Sequence, residues 1–385
     1  MNKMSARKKI LLFTDWYVPG YKAGGPVRSC ANFAAVMQDS FDLFILTTDR
    51  DLGDAVPYAG IGTDTWTVRG PGLQVWYASP GSLKAAAIGR LVGEIAPDYV
   101  YLNSMYSWTF TILPLWMRVR KRLPGKWIIA PRGMLQEGAM QFKTLKKKLF
   151  LQLLKGTGMT RRLYFQATDG QEQADIRRYF PAADIVVLPN FPQGETVEWR
   201  SVVKNPGVLR CVFLSRLSPK KNLLFLLNAL CDWPEERKLE LTIRGEVEDR
   251  DYWEKCLAAI RALPASVTVS FDGPVPHEAV TGVLQQHHLF ILPTLGENFG
   301  HAIFEALLAG KPVIISDKTP WSELAEKKAG HDLPLDAGLF SRTLGLYAMM
   351  DQIGYDQWSR AAWEYARGIQ KGGNLKEEYK KLLFS

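Results

Sequence analysis

Cysteine is scarce in this sequence, and long apolar runs are absent. The 385 residues include four cysteines, which lie far apart and form no Cys-x-x-Cys pair: Cys30, Cys211, Cys231 and Cys256. This pattern implies neither a disulfide framework nor a zinc site. The longest apolar stretch, Trp108 to Met117, contains Pro114 and is shorter than the ~18 residues of a membrane span. We therefore expect a cytoplasmic protein, soluble or peripheral to a membrane.

Positive charge is concentrated in one part of the chain. There are 48 Lys and Arg against 39 Asp and Glu, a formal net charge of +9. Between Arg118 and Arg162, thirteen basic residues stand against one acidic residue, Glu137, so this segment carries +12 and the remaining chain −3. A basic excess suggests nucleic acid, a membrane surface or an anionic substrate. Because the basic excess of this protein lies in one segment, it indicates one local basic region and not a generally basic protein.

Short apolar runs alternate with amphipathic stretches, the pattern of parallel sheets with helices on both faces. A helix is predicted over residues 26–37, with an apolar face formed by Val27, Cys30, Ala34 and Met37. Strands are predicted in two series, at residues 10–14, 43–47, 99–103 and 127–130, and at 208–214, 239–243, 267–271, 289–292 and 312–315. A Pro- and Gly-containing linker ends near Pro206, so two doubly wound domains are predicted, with ligands at their strand ends.

Two loops that follow predicted strands carry groups suited to phosphate. Gly24-Gly25 opens a helix, where glycine allows close approach and free amides favour an anion, although a tight turn without a ligand is the alternative. Arg216 and Lys221 lie on one strand-to-helix loop of the second series. A guanidinium and an ammonium together suit a diphosphate, and a solvated charge cluster is the alternative.

The segment from Pro293 to Glu305 is the most informative one. A helix is predicted to begin at about Gly300, and Glu305 falls in an apolar run of that helix, where a carboxylate is normally exposed or partnered. Amides of Phe299 and Gly300 would face a phosphate, while Glu297 and Glu305 would take sugar hydroxyls on either side of it. A helix cap with a surface glutamate is the alternative.

Together these motifs resemble the GT-B glycosyltransferases of glycosyltransferase family 4 (group 1). Glu297-x7-Glu305, Arg216 with Lys221, Gly24-Gly25, the AGKPVI stretch at 309–314 and the D-x-x-PW stretch at 317–321 carry the resemblance. The PRGML stretch at 131–135 resembles a subgroup common in bacterial surface-polysaccharide clusters. The resemblance implies two Rossmann-like domains that face each other across a cleft. It places an acceptor-binding domain at residues 1–200, a nucleotide-sugar-binding domain at 207–370, and a final helix, 373–385, that crosses back.

The resemblance also implies a donor site without a metal or other cofactor. Arg216 and Lys221 would neutralise the diphosphate and stabilise the departing charge. Glu297 would bind donor-sugar hydroxyls near the reacting carbon, and Glu305 would bind the ribose. Further donor contacts are implied at Gly24, Gly25, Asn298, Phe299 and Gly300. Members of the family retain the anomeric configuration, and the leaving phosphate helps to deprotonate the acceptor.

The histidines depart from the family pattern. Many members carry a histidine in the first domain, but the five in this sequence lie in the second: His277, His287, His288, His301 and His331. Arg132 and Asn103 occupy the first-domain loops where histidine is frequent. Arg132 is either a cation aimed at phosphate or acceptor, or a structural residue that holds its loop. Asn103 is a further candidate for an acceptor contact.

Two Asp-x-Asp triplets raise the question of a bound metal. The triplet at 49–51 lies in the domain expected to hold the acceptor, and the triplet at 249–251 is typical of a helix N-cap. We therefore predict no metal site. The adjacent His287 and His288 are predicted to be a surface pair whose side chains point to different faces and chelate poorly.

The centre of the basic segment, residues 142–154, predicts a basic amphipathic helix with aromatic anchors. The face opposite the apolar one would meet an anionic membrane through Lys143, Lys146, Lys147 and Lys148. A core-packed helix with a solvated basic face is the alternative. No motif with interleaved aromatic residues favours nucleic acid. The hypothesis is a peripheral protein on the inner face of the plasma membrane.

The leading functional interpretation is a retaining hexosyltransferase of cell-surface glycan biosynthesis. The donor would be a UDP- or GDP-sugar, and the acceptor a polysaccharide, as in lipopolysaccharide or capsule, or a lipid-linked oligosaccharide. A nucleotide-sugar epimerase of the same architecture is one alternative. A non-catalytic nucleotide-sugar-binding subunit is the other, because the first-domain histidine is missing.

Overall fold

The protein consists of two compact units in a computed structural model that describes residues 7–121, 123–136, 150–152 and 154–384. Unit 1 comprises residues 1–191 and 374–385, and unit 2 comprises residues 192–373. Each unit contains one predominantly parallel sheet, so the predicted α/β class is confirmed. Every strand predicted from the sequence is present, with bounds within one residue of the prediction.

The sheet of unit 1 contains β1 (Lys9–Phe13), β2 (Asp42–Thr48), β3 (Trp66–Gly70), β4 (Leu73–Ala78), β5 (Tyr99–Leu102), β6 (Lys126–Ile129), β7 (Leu163–Ala167) and β8 (Asp184–Val187). Their order is β3-β4-β2-β1-β5-β6-β7-β8, and the pairing of β3 with β4 is antiparallel while the others are parallel. The chain order reverses between β1 and β5. This reversal is the switch point of a doubly wound sheet, where ligands bind beyond the carboxyl ends of the strands.

The helices of unit 1 include α1 (Gly25–Met37), α2 (Ala85–Ile95), α3 (Leu113–Lys121), α4 (Gly170–Tyr179) and α11 (Leu375–Leu382), with a π-helical turn at Trp108–Ile112. The predicted apolar face of α1 is buried in the core, which confirms that prediction. No helix among the described residues is long and apolar enough to cross a membrane.

Helix α11 and the residues after it complete the core of unit 1. The Tyr379 hydroxyl donates to the Pro189 carbonyl (2.9 Å) and accepts from Gln166 Nε2 (2.6 Å). Phe384 packs among the rings of Phe33, Phe41 and Tyr99. The last described residues of the chain are therefore part of the first folding unit.

The sheet of unit 2 contains β9 (Val208–Leu214), β10 (Lys238–Arg244), β11 (Val267–Phe271), β12 (Leu289–Leu292), β13 (Val313–Ser316) and β14 (Gly330–Leu333). These strands are parallel, in the order β11-β10-β9-β12-β13-β14. Its helices include α5 (Leu223–Ala229), α6 (Arg250–Arg261), α7 (His277–Gln285), α8 (His301–Leu308), α9 (Ala337–Met349) and α10 (Gln352–Lys371), with a 3₁₀ turn at Pro219–Lys221.

The boundary between the units differs from the prediction. The sequence places the first domain at 1–200 and a linker up to about 207, whereas residues 192–206 belong to unit 2. Trp199 Nε1 donates to the Ser359 hydroxyl (3.0 Å), and Trp363 Nε1 donates to the Val197 carbonyl (2.7 Å). These contacts with α10 hold the predicted linker on unit 2. The chain returns to unit 1 at Asn374.

The prediction that His287 and His288 lie on the surface is wrong, because both are buried. His288 Nδ1 accepts from the Arg210 backbone N–H (2.9 Å), so its Nε2 carries the hydrogen that is donated to the Val203 carbonyl (2.9 Å). Burial lowers the pKa of His288 to about 4. The neutral ring therefore acts as a hydrogen-bonded core residue between β9 and β12.

Candidate functional site

The predicted chemistry of unit 2 lies on the loops that follow β9 and β12, which are neighbours in the sheet. The two loops are fastened together, because Leu295 N–H (2.8 Å) and the Thr294 hydroxyl (3.2 Å) both donate to the Lys220 carbonyl. The Ser316 hydroxyl at the end of β13 donates to the Thr294 carbonyl (2.5 Å). Three adjacent strand ends thus fix the loop after β12.

Lys221 and Glu297, both predicted to be catalytic, form an ion pair between these loops. Nζ and Oε1 are 2.5 Å apart, and the side chains are 15% and 12% exposed. Burial raises the pKa of Glu297, but the charges of Lys221 and Lys220 outweigh this effect and lower it overall. The carboxylate is therefore ionised at neutral pH, next to an ammonium group.

Arg216, the other predicted cation, pairs with Glu248 on the segment after β10, with Nη1 and Oε1 2.9 Å apart. This contact depends on Gly245, where φ is 150° and an added Cβ would lie 1.9 Å from the Ser215 carbonyl oxygen. The close approach brings the segments after β9 and β10 together, and Leu217 N–H donates to the Glu246 carbonyl (2.8 Å).

Gly300 sets the start of helix α8. Its φ of 77° and ψ of 57° are left-handed, and an added Cβ would lie 2.8 Å from Ile303 Cδ1. Trp321 Nε1 donates to the Phe299 carbonyl, which holds the loop against the helix. Asn298, also a predicted donor contact, precedes Phe299. Glu297, Asn298 and Phe299 therefore lead directly into the N-terminus of α8.

Glu305 lies in the second turn of α8 and is partnered, not a free surface glutamate. Its Oε1 is 3.8 Å from Nδ1 of His277 at the start of α7, and its side chain is 9% exposed. His277 was not predicted as a site residue, and neither were Glu248 and Gly245. A signal existed for Glu248, because it follows a predicted strand closely, as the other site loops do.

The predicted phosphate loop of unit 1 has the expected local geometry. Gly24 has a φ of 67° and a ψ of −124°, an added Cβ would meet no atom within 4 Å, and α1 begins at Gly25. Upstream, the Tyr21 N–H donates to Asp51 Oδ2 (2.7 Å) and Lys22 Nζ lies 2.6 Å from Asp54 Oδ1. The two acidic residues thus position the chain that leads into the helix.

Arg132 and Asn103 contact each other, which favours the structural role of Arg132. Arg132 Nε donates to Asn103 Oδ1 (2.8 Å), Nη2 to the Tyr101 hydroxyl (2.7 Å) and Nη1 to Asn190 Oδ1. Asn103, Tyr101 and Asn190 are buried. The guanidinium therefore joins residues from several strand ends of unit 1 and holds the loop after β6.

Four predicted membrane-facing residues lie outside the described residues: Lys143, Lys146, Lys147 and Lys148. Of the described part of the basic segment, Arg118 is engaged internally, because it donates to the carbonyls of Met159, Arg161 and Arg162. Arg120 lies 5.2 Å from the ring centre of Trp116, which is 38% exposed. Helix α3 thus carries an aromatic and a basic group at the surface.

The Asp-x-Asp triplets have local structural roles. Asp249 caps α6 by accepting from the Tyr252 N–H (2.9 Å), which confirms the predicted N-cap. Asp49 pairs with Arg50, with Oδ1 and Nε 2.8 Å apart. Within the described ranges, no three His, Cys, Asp or Glu residues come together as a metal site would require. A metal-free donor site stays a prediction.

Comparison with known sequences finds similarity within unit 2. Residues 198–330, about a third of the chain, match the sequence model of the family described as glycosyl transferases group 1. An uncharacterised glycosyltransferase of Methanocaldococcus jannaschii is 29% identical over 105 residues, which make up 27% of this chain and 26% of that protein. The alignment therefore spans about a quarter of that relative.

Solved structures resemble nearly the whole chain. Anabaena HepE, in complex with UDP and glucose, superposes with a TM-score of 0.69 at 15% identity, covering 98% of this chain and 100% of that one. Sucrose-phosphate synthase from Thermosynechococcus elongatus gives 0.67 at 16% identity and 98% of each chain. WaaG, a glycosyltransferase involved in lipopolysaccharide biosynthesis, gives 0.61 at 14% identity, covering 94% and 100%. The chain has the GT-B fold, and the region that matches group 1 glycosyltransferases lies in its unit 2.

Proposed function

We propose that the protein is a retaining glycosyltransferase of family 4 that moves a hexose from a nucleotide sugar to a glycan. The observation that carries the proposal is the largely buried ion pair of Lys221 and Glu297, at the ends of neighbouring strands within residues 198–330. The pair offers a cation for a diphosphate and a carboxylate for hydroxyls. A nucleotide-sugar donor presents both of these groups.

On donor binding, Lys221 would exchange its contact with Glu297 for a phosphate oxygen, and Arg216 would supply the second cation. Glu297, kept ionised by its lowered pKa, would accept hydrogen bonds from the sugar hydroxyls. As the bond between the anomeric carbon and the phosphate oxygen breaks, the two cations stabilise the charge that develops on the diphosphate. Because protein cations do this, we propose a metal-independent reaction.

The acceptor oxygen would bond to the same face of the anomeric carbon, and its proton would pass to the leaving phosphate. The configuration is then retained. Glu305, beside His277, would bind the ribose, and the amides at Phe299 and Gly300 would contact phosphate. The helix N-terminus at Gly24-Gly25 also offers backbone amides that would contact phosphate.

The donor and acceptor classes rest on two of the solved structures. HepE contains UDP and glucose, so a UDP-hexose is the first donor to test and a GDP-hexose the second. The involvement of WaaG in lipopolysaccharide biosynthesis supports a polysaccharide or lipid-linked acceptor of the cell surface. Trp116 and Arg120 on α3 support a peripheral position on the inner face of the plasma membrane.

A two-stage experiment tests the activity. A thermal-shift screen of UDP-, GDP- and ADP-hexoses identifies the donor, because a ligand that binds the native state raises its stability. The selected donor is then incubated with and without lipid-linked oligosaccharide. Nucleotide release that requires the acceptor supports transfer. Epimerised donor without release supports the epimerase instead, and donor binding without turnover supports the binding subunit.

A further inference from the structure

The amino edge of the sheet of unit 2, opposite the edge that carries Lys221 and Glu297, holds a row of basic residues. The registers of β9, β12 and β13, continued towards their amino ends, place Arg210, His288 and Lys311 side by side. His288 N–H donates to the Arg210 carbonyl (2.8 Å), which extends the pairing of β9 with β12. Two cations and an imidazole therefore come together near the starts of three neighbouring strands.

Helix α10 packs against this row. The Tyr355 hydroxyl donates to the His288 carbonyl (3.0 Å), and the Ser359 hydroxyl donates to the Gly310 carbonyl (2.7 Å). Burial of the edge is complete at Lys311, which is 0% exposed. An enclosed ammonium group is costly unless an acceptor and an opposite charge compensate it.

Two buried nitrogens of the row lack an acceptor among the described residues. Lys311 Nζ makes no hydrogen bond to any of them, and neither does Arg210 Nε. Lys204, in the segment before β9, shows the usual arrangement, because its Nζ donates to three backbone carbonyls at 2.9–3.0 Å. Buried donors are nearly always satisfied, and an exception calls for an explanation such as a bound ion or water.

The nearest carboxylate does not compensate these cations. Burial and the charge of Arg210 lower the pKa of Lys311 to about 7, although Asp356 on α10 opposes this. Asp356 is engaged elsewhere, because its Oδ1 accepts from the Ser201 hydroxyl (2.7 Å) and from Gln352 Nε2 (3.0 Å). Lys311 and Arg210 therefore repel each other without a carboxylate between them.

The other ionisable groups at this edge leave the excess of positive charge in place. Burial lowers the pKa of His287 and of His288, so both rings are uncharged at neutral pH. Burial also lowers the pKa of Lys204, to about 8. Glu240, opposite Arg210 on β10, is exposed to solvent. In the enclosed part of the edge, three cations thus stand against the single carboxylate of α10.

We propose that this edge binds a halide ion such as chloride between Lys311 Nζ and Arg210 Nε. The ion would accept hydrogen bonds from both nitrogens and would supply the missing negative charge, which a water molecule cannot do. A monatomic ion fits the complete enclosure of Lys311 better than a phosphate or sulfate does. Since the site lies at the edge opposite the candidate donor site, the inference does not depend on the proposed function.

The test is thermal unfolding of the full chain in potassium chloride and in potassium gluconate of equal ionic strength. The quantity compared is the melting temperature in chloride minus that in gluconate. At pH ~6 this difference is expected to be about 2–4 °C larger in the wild type than in Lys311→Met, because a ligand of the native state raises its stability. Lys255→Met, at an exposed position on α6, is the control and is expected to match the wild type.

The pH dependence of the chloride effect has a defined sign. With a pKa of about 7, Lys311 carries its proton at pH ~6 and has lost it at pH ~8.5. An anion binds the protonated form, so the chloride effect of the wild type is expected to shrink as the pH rises. Lys204 titrates in the same range, and the comparison with Lys311→Met separates the two lysines.

A chloride effect of equal size in the wild type and in Lys311→Met would overturn the assignment, and so would its absence from both. Methionine keeps the length of the side chain and removes the uncompensated charge, so the variant is expected to fold. If it does not, diffraction from wild-type crystals soaked in bromide decides. An anomalous peak in contact with Lys311 Nζ is expected, and its absence there would overturn the proposal.

Discussion

At the scale of single residues, the candidate donor site is built from charges that already have partners. Lys221 pairs with Glu297, and Arg216 pairs with Glu248. The Lys221–Glu297 pair is largely buried, and removal of one member of such a pair leaves the other uncompensated, which costs about 3–5 kcal/mol. Neutral substitutions of similar shape therefore separate chemical roles from folding better than truncation does.

Glu297→Gln is expected to reduce sugar transfer by about 10²–10³-fold, the effect of losing one preorganised electrostatic group. UDP is expected to bind at least as tightly as before, because Lys221 no longer has a carboxylate that competes for it. Turnover and calorimetry measure the two effects. Glu236→Gln, a largely exposed position in the same unit, is the control. Turnover that survives Glu297→Gln would contradict the assigned role.

Arg132→Met distinguishes the two roles considered for this residue. The variant leaves buried acceptors on Asn103, Asn190 and Tyr101 without their donor, so a loss of about 3 kcal/mol in the free energy of unfolding is expected. Denaturant unfolding measures it, with the exposed Arg90→Met as the control. A variant of normal stability that has lost transfer would instead place Arg132 in the chemistry.

At the scale of helices and strands, buried contacts across the sheets determine stability. Phe384→Ala is expected to destabilise unit 1 by about 3–5 kcal/mol, because it removes a ring from the aromatic cluster of Phe33, Phe41 and Tyr99. Leu382→Ala, at a position 47% exposed, is expected to change stability by less than about 0.5 kcal/mol. Equal denaturation midpoints for the two variants would contradict this packing.

The buried His288 predicts a pH dependence of stability. Its pKa is about 4 in the folded state against 6.5 ordinarily, so the unfolded chain takes up the proton first as the pH falls. Stability from this residue is therefore full above pH ~6.5 and is lost towards pH ~4, by about 3 kcal/mol. His288→Gln is expected to flatten this part of the profile of unfolding free energy against pH. An unchanged slope between pH ~6.5 and ~5 would count against the buried neutral ring.

The elements that the sequence predicts well are buried apolar strands, and those it does not are mostly sheet edges. β3, β8 and β14 contain exposed or polar residues because each lies at or near an edge. β7 is paired on both sides but includes Gln166, which is buried because it bonds to Tyr101 and Tyr379. The pattern of apolar residues in the sequence does not indicate that Gln166 is buried through these hydrogen bonds.

The residues of the candidate site likewise fall into those that the sequence indicates and those that it does not. Glycines and charges directly after a strand were recognised, because strand ends meet at one edge of a parallel sheet. The partners Glu248 and His277 were missed, since their contacts depend on the order of β10 and β9 and on the position of α7 beside α8. The order of strands in a sheet depends on the packing of the whole fold and cannot be predicted from the spacing of residues along the sequence.

At the scale of the whole molecule, the basic segment 118–162 carries more than the entire net charge. Some of that charge has an internal use, because Arg118 binds three backbone carbonyls. Lys143, Lys146, Lys147 and Lys148 are the candidates for an external partner. A surface contact of this kind is screened by salt, which provides a measurable signature.

Flotation with anionic vesicles is expected to recover the wild type at low salt and less of it at high salt. Substitution of the four lysines by glutamine is expected to abolish recovery, because each basic residue contributes about 1 kcal/mol near an anionic surface. The control replaces four exposed lysines of unit 2 with glutamine: Lys255, Lys327, Lys328 and Lys371. Absence of the wild type from vesicles at both salt concentrations would refute the membrane contact.

The return of the chain to unit 1 at its end has a consequence for biosynthesis. Unit 2 is one continuous stretch, but Tyr379 and Phe384 are translated after it and still belong to the core of unit 1. Domains usually fold in the order in which they leave the ribosome. In this protein, unit 1 emerges from the ribosome first, but its fold can be completed only after unit 2 has been translated. A ribosome that stalls within unit 2 leaves a chain with every strand of the first sheet made and its aromatic core still open.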